Sequence, residues 1–236
     1  MDPTKKILKV ILFGASGMVG AAILNECLRD ENVTSILAVG RRNCGRQHAK
    51  LRELLLCDLF KLTEYSQYLR GFNTCFYSIG ASAMGMKEAD YKRINHDLPI
   101  QTAQLLLKIN PDLGFCYVSG SGTDSSEKGP VMWARIKGST ENALLQMPFR
   151  VSVMFRLGAM KPLKGFKSRT ALYRVSYDLV NPFLPMIGKL FPGSVTTPRR
   201  LGRAMIRAAR GESNNPILGP KEIHEFGGDF ELTKSV

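Results

Sequence analysis

Hydrophobic and polar positions follow two recurring patterns along the chain, short apolar runs and longer stretches with helical spacing. The apolar runs predict strands and the stretches between them predict helices. The predicted strands are 9–13, 35–40, 54–57, 74–79, 114–119 and 150–155, and the predicted helices are 21–29, 63–69, 90–109 and 131–145. Strands that alternate with helices pair in parallel through right-handed crossovers. The predicted fold class is therefore α/β, with a doubly wound parallel sheet.

The pattern changes after about residue 158. Residues 161–198 contain five prolines and an apolar stretch at 183–191. An amphipathic helix is predicted over 197–210, followed by one more strand at 216–218. This region is too small and irregular for a second domain. We expect a single domain over 1–236, in which roughly 160–236 form a small cap over the carboxyl edge of the sheet.

Three glycines, Gly14, Gly17 and Gly20, follow the first predicted strand and precede a helix-like stretch. Glycines let a pyrophosphate approach the backbone, and the new helix offers free N–H groups and the positive end of its dipole. The spacing G-x-x-G-x-x-G in this position predicts a dinucleotide site, with Ser16 and Met18 also in contact with the cofactor. The alternative is an ordinary glycine-rich turn.

The second predicted strand ends in Arg41-Arg42, where an NAD-preferring fold places an acidic residue. Two arginines can bind a 2′-phosphate instead, so we expect NADP as cofactor, with NADPH preferred over NADH. A solvated surface pair is the alternative. Asp58 and Leu59 follow the third strand, and Asp58 is expected either to accept from the adenine amino group or to cap a helix. Gly80 follows the fourth strand, where small residues leave room for a cofactor.

The fifth strand ends in Ser119-Gly120-Ser121-Gly122, and a serine at that edge can donate to a carbonyl oxygen. Trp133 and Lys137 are four residues apart in a predicted helix and therefore share one face. A lysine on a helix is usually solvated, so this pair alone indicates little.

Taken in order, the glycine turn, Asp58, the two serines, Lys137 and the segment 155–158 resemble the short-chain dehydrogenase/reductase superfamily. The resemblance is closest to its extended and atypical branches, including NmrA-like and Tat-interacting-protein-like members, and is best over residues 7–160. It implies a Rossmann fold with bound NAD(P), in which Lys137 would hold the nicotinamide ribose. Ser121, or with less support Ser119, would orient a substrate carbonyl. Asn95 resembles the family's helix asparagine, for which we prefer a structural role.

The chain departs from the family at Trp133, which occupies the position of the family's tyrosine. An indole N–H cannot deliver a proton as a phenol does. Two functions therefore stay open: an NADP(H)-dependent oxidoreductase acting on a small apolar carbonyl or alcohol, and a non-catalytic NADP(H)-binding regulatory or redox-sensing protein. Epimerase or dehydratase chemistry shares the fold and also stays open.

Composition adds a formal net charge of +13 and a pI near 9.7, which favour anionic ligands such as a phosphorylated cofactor. The basic residues are scattered, so we expect no specific nucleic-acid partner. The five cysteines and three histidines show no disulfide framework and no metal-ligand spacing. The start of the chain lacks a signal-peptide pattern, and we expect a cytoplasmic protein. Homo-oligomers and peripheral membrane contact through 183–191 stay open, although a buried cap helix is preferred.

Overall fold

The computed structural model describes residues 6–160 and 195–228. Its strands are β1 Leu8–Phe13, β2 Val33–Gly40, β3 Leu51–Leu55, β4 Thr74–Tyr77, β5 Gly114–Gly120, β6 Val151–Leu157, β7 Ala159–Met160, β8 Val195–Thr196 and β9 Ile217–Leu218. Among the described residues, seven of these strands form one parallel sheet in the order β3-β2-β1-β4-β5-β6-β9. Strands β7 and β8 pair with each other outside that sheet.

Helices pack on both faces of the sheet. The described helices are α1 Met18–Arg29, α2 Glu88–Lys92, α3 Leu98–Ile109, α4 Met132–Leu145, α5 Pro198–Ala209 and α6 Pro220–Phe226. A 3₁₀ segment, Leu59–Leu69, follows β3, and a π-helical turn, Arg93–Asp97, joins α2 to α3.

Strand β1 contributes side chains to the core on both faces of the sheet, because successive side chains of a strand point to opposite faces. Val10 and Leu12 pack into the apolar layer that contains residues of α1 and α5. Ile11 and Phe13 pack into the opposite layer, which contains residues of the 3₁₀ segment and α3. Burial on both faces of a parallel sheet confirms the predicted doubly wound α/β fold.

The strand order indicates where on the sheet a ligand site is expected. Strand β1 pairs with β2 on one side and with β4 on the other, so the chain changes direction across the sheet at β1. In folds of this kind ligands bind in the crevice beyond the carboxyl ends of the strands at this switch point. The glycine turn follows β1 directly and therefore lies at that crevice.

Most predicted elements differ from the observed ones by one to four residues at an end, and the helix predicted over 63–69 is a 3₁₀ segment that begins at Leu59. Two further differences have a clear physical reason. Strand β3 ends at Leu55, whereas the sequence indicated 54–57, because β3 is an edge strand whose polar, partly exposed residues hide its start. The helix predicted over 90–109 begins at Glu88 and contains the π-helical turn. Pro99 explains the irregularity, since it has no N–H to donate to the carbonyl oxygen of Asn95 four residues earlier.

Most of the predicted cap, residues 161–194, including the apolar stretch 183–191, lies outside the described residues. In the part described, α5 packs against α1 and β9 extends the main sheet beside β6. The division into one domain with a cap stays a prediction. No helix in the described ranges is long and apolar enough to cross a bilayer.

Candidate cofactor and active site

The glycines of the turn between β1 and α1 let the start of α1 lie close to the end of β1. Gly14 has a φ of +89°, a conformation that favours glycine. A Cβ on Gly20 would lie 2.1 Å from the carbonyl oxygen of Gly14, so only glycine lets α1 begin this near the end of β1. Gly17 is the exposed N-cap of α1, and no side chain caps that helix. Ser16 and Met18, on either side of it, are half-buried.

Because the first N–H groups of a helix have no intrahelical partner, the start of α1 presents free donors and the positive end of the helix dipole. These donors lie at an exposed glycine with room for a ligand beside the backbone. The turn therefore fits the pyrophosphate of a dinucleotide.

A cavity of about 370 Å³ lies beside the ends of β2 and β3. It brings together three residues singled out from the sequence, Arg41, Asp58 and Leu59. The other lining residues are Cys57, Phe60, Ile79, Asp90, Arg93, Ile94 and Leu98. Arg42 is exposed and is not among the described residues that line this cavity. Of the two adjacent arginines, therefore, Arg41 lines the cavity and Arg42 does not.

Asp58 caps the 3₁₀ segment, since its Oδ1 accepts from the N–H of Phe60 at 3.0 Å. A carboxylate has four lone-pair sites, so this cap still leaves it able to accept a further hydrogen bond. The sequence did not single out Arg93, whose guanidinium lies over the Phe60 ring, 4.7 Å from its centroid. In the sequence, the one feature that could have indicated a site at Arg93 was its position two residues before Asn95.

Lys137 lies at the carboxyl ends of β4 and β5, near Gly80. A Cβ on Gly80 would lie 3.5 Å from Lys137 Nζ and 3.1 Å from Asn95 Oδ1, so glycine makes room for both side chains. The lysine is 8% exposed, and its Nζ donates to the hydroxyl of Tyr117 at 2.8 Å. Burial lowers the pKa of Lys137 to about 8, and the negative charge of Glu141 partly offsets this effect.

The two candidate serines occupy different environments. Ser119 is buried, and its hydroxyl donates to Glu141 Oε1 at 2.5 Å. Glu141 is itself fully buried and pairs with Arg156 at 2.6 Å, so Ser119 belongs to a closed polar network. Ser121 is exposed, and its backbone N–H donates to the carbonyl oxygen of Leu157 at 2.9 Å. Of the two hydroxyl groups, that of Ser121 is the one open to a ligand.

Trp133 packs against the turn after β5. A Cβ on Gly120 or Gly122 would lie 3.6 or 3.4 Å from the indole ring, and Gly122 has a φ of +89°. These two glycines flank Ser121 and let the ring lie close to the backbone. Trp133 and Ser121 are therefore neighbours, with Lys137 one helical turn further along α4.

Asn95 is fully buried, its Nδ2 donates to the carbonyl oxygen of Tyr91, and its Oδ1 accepts from the N–H of Ala81. These bonds tie the π-helical turn to the loop after β4, as a structural role requires. In the described ranges, no three His, Cys, Asp or Glu side chains are grouped so that they could share a metal ion.

The predicted residues thus form two groups at one edge of the sheet. The first group comprises the glycine turn with Arg41, Asp58 and Leu59. The second comprises Gly80, Ser121, Trp133 and Lys137. Their roles toward a cofactor or substrate stay predictions. Tyr117, Glu141 and Arg93 are additions that only the fold reveals.

No protein-family model matches the chain. Protein HTATIP2 of Rattus norvegicus is 24% identical over 153 residues, which cover 64% of this chain and 62% of that protein. The mitochondrial protein fmp52 of Emericella nidulans is 30% identical over 156 residues, which cover 63% of this chain and 65% of that protein. The match thus spans less than two thirds of the length of both relatives.

Solved structures share the fold. MoeE5 in complex with UDP-glucose and NAD superposes with a TM-score of 0.64 at 17% identity, covering 89% of this chain and 75% of that one. The UDP-glucuronic acid 4-epimerase of Bacillus cereus in complex with NAD gives 0.63 at 13% identity, covering 90% and 76%. Both are Rossmann-fold proteins whose structures contain a nicotinamide dinucleotide.

The cytoplasmic location expected from the start of the chain is wrong in the light of these relatives. The fungal fmp52 proteins are named as mitochondrial. The names of these relatives therefore point away from a simple cytoplasmic location.

The two solved structures contain bound NAD. Together with the glycine turn and the strand order, the relatives and the solved structures confirm the predicted resemblance. The chain therefore resembles the extended and atypical branch of the short-chain dehydrogenase/reductase superfamily, and it shares the Rossmann fold of the NAD-bound structures.

Proposed function

We propose that this protein binds NADP(H), prefers NADPH over NADH, and acts as an oxidoreductase on a small apolar carbonyl or alcohol. The observation that carries the cofactor choice is the cavity beside β2, where Arg41 stands at the position of the acidic residue of NAD-preferring folds. A guanidinium can bind a 2′-phosphate through charge-assisted hydrogen bonds.

The remaining lining residues suit an adenosine group. Phe60, Ile79 and Leu98 provide apolar contact, and Asp58 offers an acceptor to the adenine amino group. Arg93 adds a second positive charge, which offsets the carboxylates of Asp58 and Asp90. The glycine turn next to this cavity would hold the pyrophosphate.

A bound nicotinamide supplies or accepts a hydride. In this proposal Lys137 donates to the nicotinamide ribose, and Ser121 donates to the carbonyl oxygen of the substrate. Trp133 packs against the two glycines that flank Ser121. The proton would have to come from Ser121 or from a water on Lys137, because an indole does not supply one.

A second function, a non-catalytic NADP(H)-binding regulator or redox sensor, is favoured by one observation. The residue beside Ser121 and one turn before Lys137 is Trp133, which carries no titratable group. Binding of NADPH is common to both proposals, and only turnover separates them.

Arg41→Ala and Arg42→Ala form a matched pair for the cofactor choice, since they remove the same charge from adjacent residues. We expect the parent protein to bind NADPH roughly ten- to a hundredfold more tightly than NADH. Arg41→Ala should lose most of that ratio, and Arg42→Ala should keep it. Calorimetric titration with both cofactors measures the ratio. An equal loss in both variants would mean that only the general positive field matters, and an unchanged ratio in Arg41→Ala would contradict the assignment.

A further inference from the structure

We propose that Tyr117 is a positioning residue that fixes the Lys137 ammonium group in the cofactor site, using a hydroxyl whose own proton is held by the backbone of Asn95. The inference rests on the proposed function, because Lys137 is the residue expected to hold the nicotinamide ribose. Tyr117 itself touches neither cofactor nor substrate in this scheme.

Pro99 changes the hydrogen bonding of the carbonyl oxygen of Asn95. A carbonyl oxygen in a helix normally accepts from the N–H four residues later, and Pro99 has none to give to Asn95. Two side-chain hydroxyls of neighbouring elements lie within hydrogen-bond distance of this oxygen instead, and that of Thr140 is shared with the carbonyl oxygen of Ile136. The Tyr117 hydroxyl of β5 lies 3.2 Å from the Asn95 carbonyl oxygen, and Thr140 Oγ1 of α4 lies 2.9 Å from it.

The donation fixes the orientation of the Tyr117 hydroxyl. Its proton points to Asn95, so a lone pair on its oxygen faces Lys137 Nζ at 2.8 Å. Burial raises the pKa of Tyr117 well above its usual value, and the phenol therefore keeps its proton. Lys137 Nζ also lies 4.8 Å from the centre of the Tyr117 ring, whose face attracts a cation.

The charged group nearest to this pair is Glu141, one helical turn beyond Lys137. Its carboxylate accepts from Ser119 and from Arg156, and it acts on the lysine only through its field. Tyr77 and Tyr91 also lie near Tyr117, and burial raises the pKa of Tyr77. The acceptor in direct contact with Lys137 is thus an uncharged hydroxyl.

An uncharged acceptor has a functional consequence. An ammonium group has three N–H donors, and one of them is used on Tyr117. Two remain for ribose hydroxyls, and no ion pair with a residue of the described ranges competes for the charge. Loss of the Tyr117 oxygen would leave a buried ammonium with one donor unsatisfied, which favours the neutral amine.

Tyr117→Phe and Tyr77→Phe provide the test. The two rings are adjacent, with centroids 5.9 Å apart, and both side chains are fully buried. The hydroxyl in contact with Lys137 is that of Tyr117, so Tyr77→Phe deletes the same atom from a neighbouring ring without removing that contact.

The first measurement titrates Lys137 in cofactor-free protein by NMR of isotope-labelled lysine, with the signal assigned by its loss in Lys137→Met. In Tyr117→Phe the pKa of Lys137 should fall by about one unit. It should stay within about 0.3 units of the parent value in Tyr77→Phe. An unchanged pKa in Tyr117→Phe, or an equal fall in Tyr77→Phe, would overturn the proposal.

The second measurement is the pH dependence of NADPH binding. If the pKa of Lys137 falls by one unit from about 8, Tyr117→Phe should bind NADPH about fivefold more weakly than the parent at pH 8. At pH 6 the affinities of the two proteins for NADPH should agree within about twofold. If the parent bound no NADPH, the proposed function would fail, while the lysine titration would still decide the Tyr117 contact. If Tyr117→Phe did not fold, 3-fluorotyrosine at position 117 would replace it, and this weaker acceptor should lower the pKa in the same direction.

Discussion

Trp133 is the single residue on which the choice between enzyme and binding protein depends. Its indole lies against the glycines on both sides of Ser121 and one turn from Lys137. A phenol in that position could exchange a proton with a substrate oxygen, and a positioned general acid contributes roughly a hundred- to ten-thousandfold in rate. The rest of the arrangement, a free serine hydroxyl and a buried lysine, is present without it.

Trp133→Tyr should therefore raise NADPH-dependent reduction of simple carbonyl compounds at least about tenfold above a low parent rate. Trp133→Phe, which is aromatic but has no hydroxyl, is the matched control and should stay at the parent rate. Stopped-flow absorbance of NADPH consumption measures both. A fast, pH-dependent parent reaction that is lost in Trp133→Tyr would show that the proton follows another route.

The strand–turn–helix unit of β1 and α1 is the element that makes a dinucleotide site of this edge. Its two later glycines have different physical roles. A Cβ on Gly20 would meet backbone at 2.1 Å, whereas a Cβ on Gly17 would meet its nearest atom, the Gly14 carbonyl oxygen, at 3.3 Å. Gly20 is therefore required by the packing of the unit, and Gly17 keeps the exposed surface of the turn clear.

Gly20→Ala should lower the free energy of unfolding by more than about 2 kcal/mol, because the backbone of the turn must move to admit the methyl group. Gly17→Ala should change the free energy by less than about 1 kcal/mol and should weaken NADPH binding instead. Denaturant unfolding and cofactor titration separate the two effects. If Gly17→Ala unfolded as readily as Gly20→Ala, the division of roles would be incorrect.

Apolar runs and glycine spacing were enough to predict β1, the turn and the parallel sheet, since these features are local in sequence. They also predicted that Arg41 and Asp58 belong to one site, because consecutive parallel strands bring their carboxyl ends together. Local pattern did not distinguish Arg41 from Arg42, since the side to which an exposed residue after a strand points depends on the following loop.

Tyr117 could not be singled out from the sequence for a different reason. In β5 it appears as one more buried aromatic residue in an apolar strand. Its role depends on a carbonyl oxygen left without a donor by Pro99 on α3 and on Lys137 on α4. That coincidence of three elements exists only after the sheet and its helices have packed.

For the whole molecule, the buried lysine makes stability depend on pH. The pKa of Lys137 is about 8 in the folded protein and near 10.5 in an unfolded chain. Between these values the unfolded state holds a proton that the folded state lacks, so this group's contribution to stability rises with pH. Below pH 8 the lysine is protonated in both states, and the cost of burying its charge is fully present.

Buried thiols and phenols act in the opposite direction at higher pH. The pKa values of Cys27, Cys75 and Tyr77 are raised by burial, so their contribution to stability falls above the ordinary pKa values of 9 and 10. The window that isolates Lys137 is therefore pH 8 to 9.

Across that window the free energy of unfolding of the parent should gain about 1 kcal/mol relative to Lys137→Met. Lys108→Met changes an exposed lysine of α3 in the same way and should keep the parent's slope. Urea denaturation at several pH values measures all three proteins. Parallel curves for the parent and Lys137→Met would contradict a lowered lysine pKa.

The net charge of +13 is partly neutralised by local ion pairs. Arg210 pairs with Asp30 at 2.7 Å and Arg207 with Glu212 at 2.7 Å, along a groove of about 710 Å³ between α1 and α5. This groove contains none of the residues predicted for the cofactor site. The basic composition is thus used partly for packing one helix against another, and predictions about nucleic acid or membrane partners stay predictions.

The central claim is that the crevice at the switch point binds NADPH, and equilibrium titration of the unmodified protein through its tryptophan emission tests it most directly. Trp133 is the only tryptophan of the chain, so any change in emission reports from beside Ser121. We expect a saturable change with NADPH, and a dissociation constant roughly ten- to a hundredfold lower than for NADH. Equal affinity for the two cofactors would contradict the role of Arg41, and no saturable response to either would contradict the site itself.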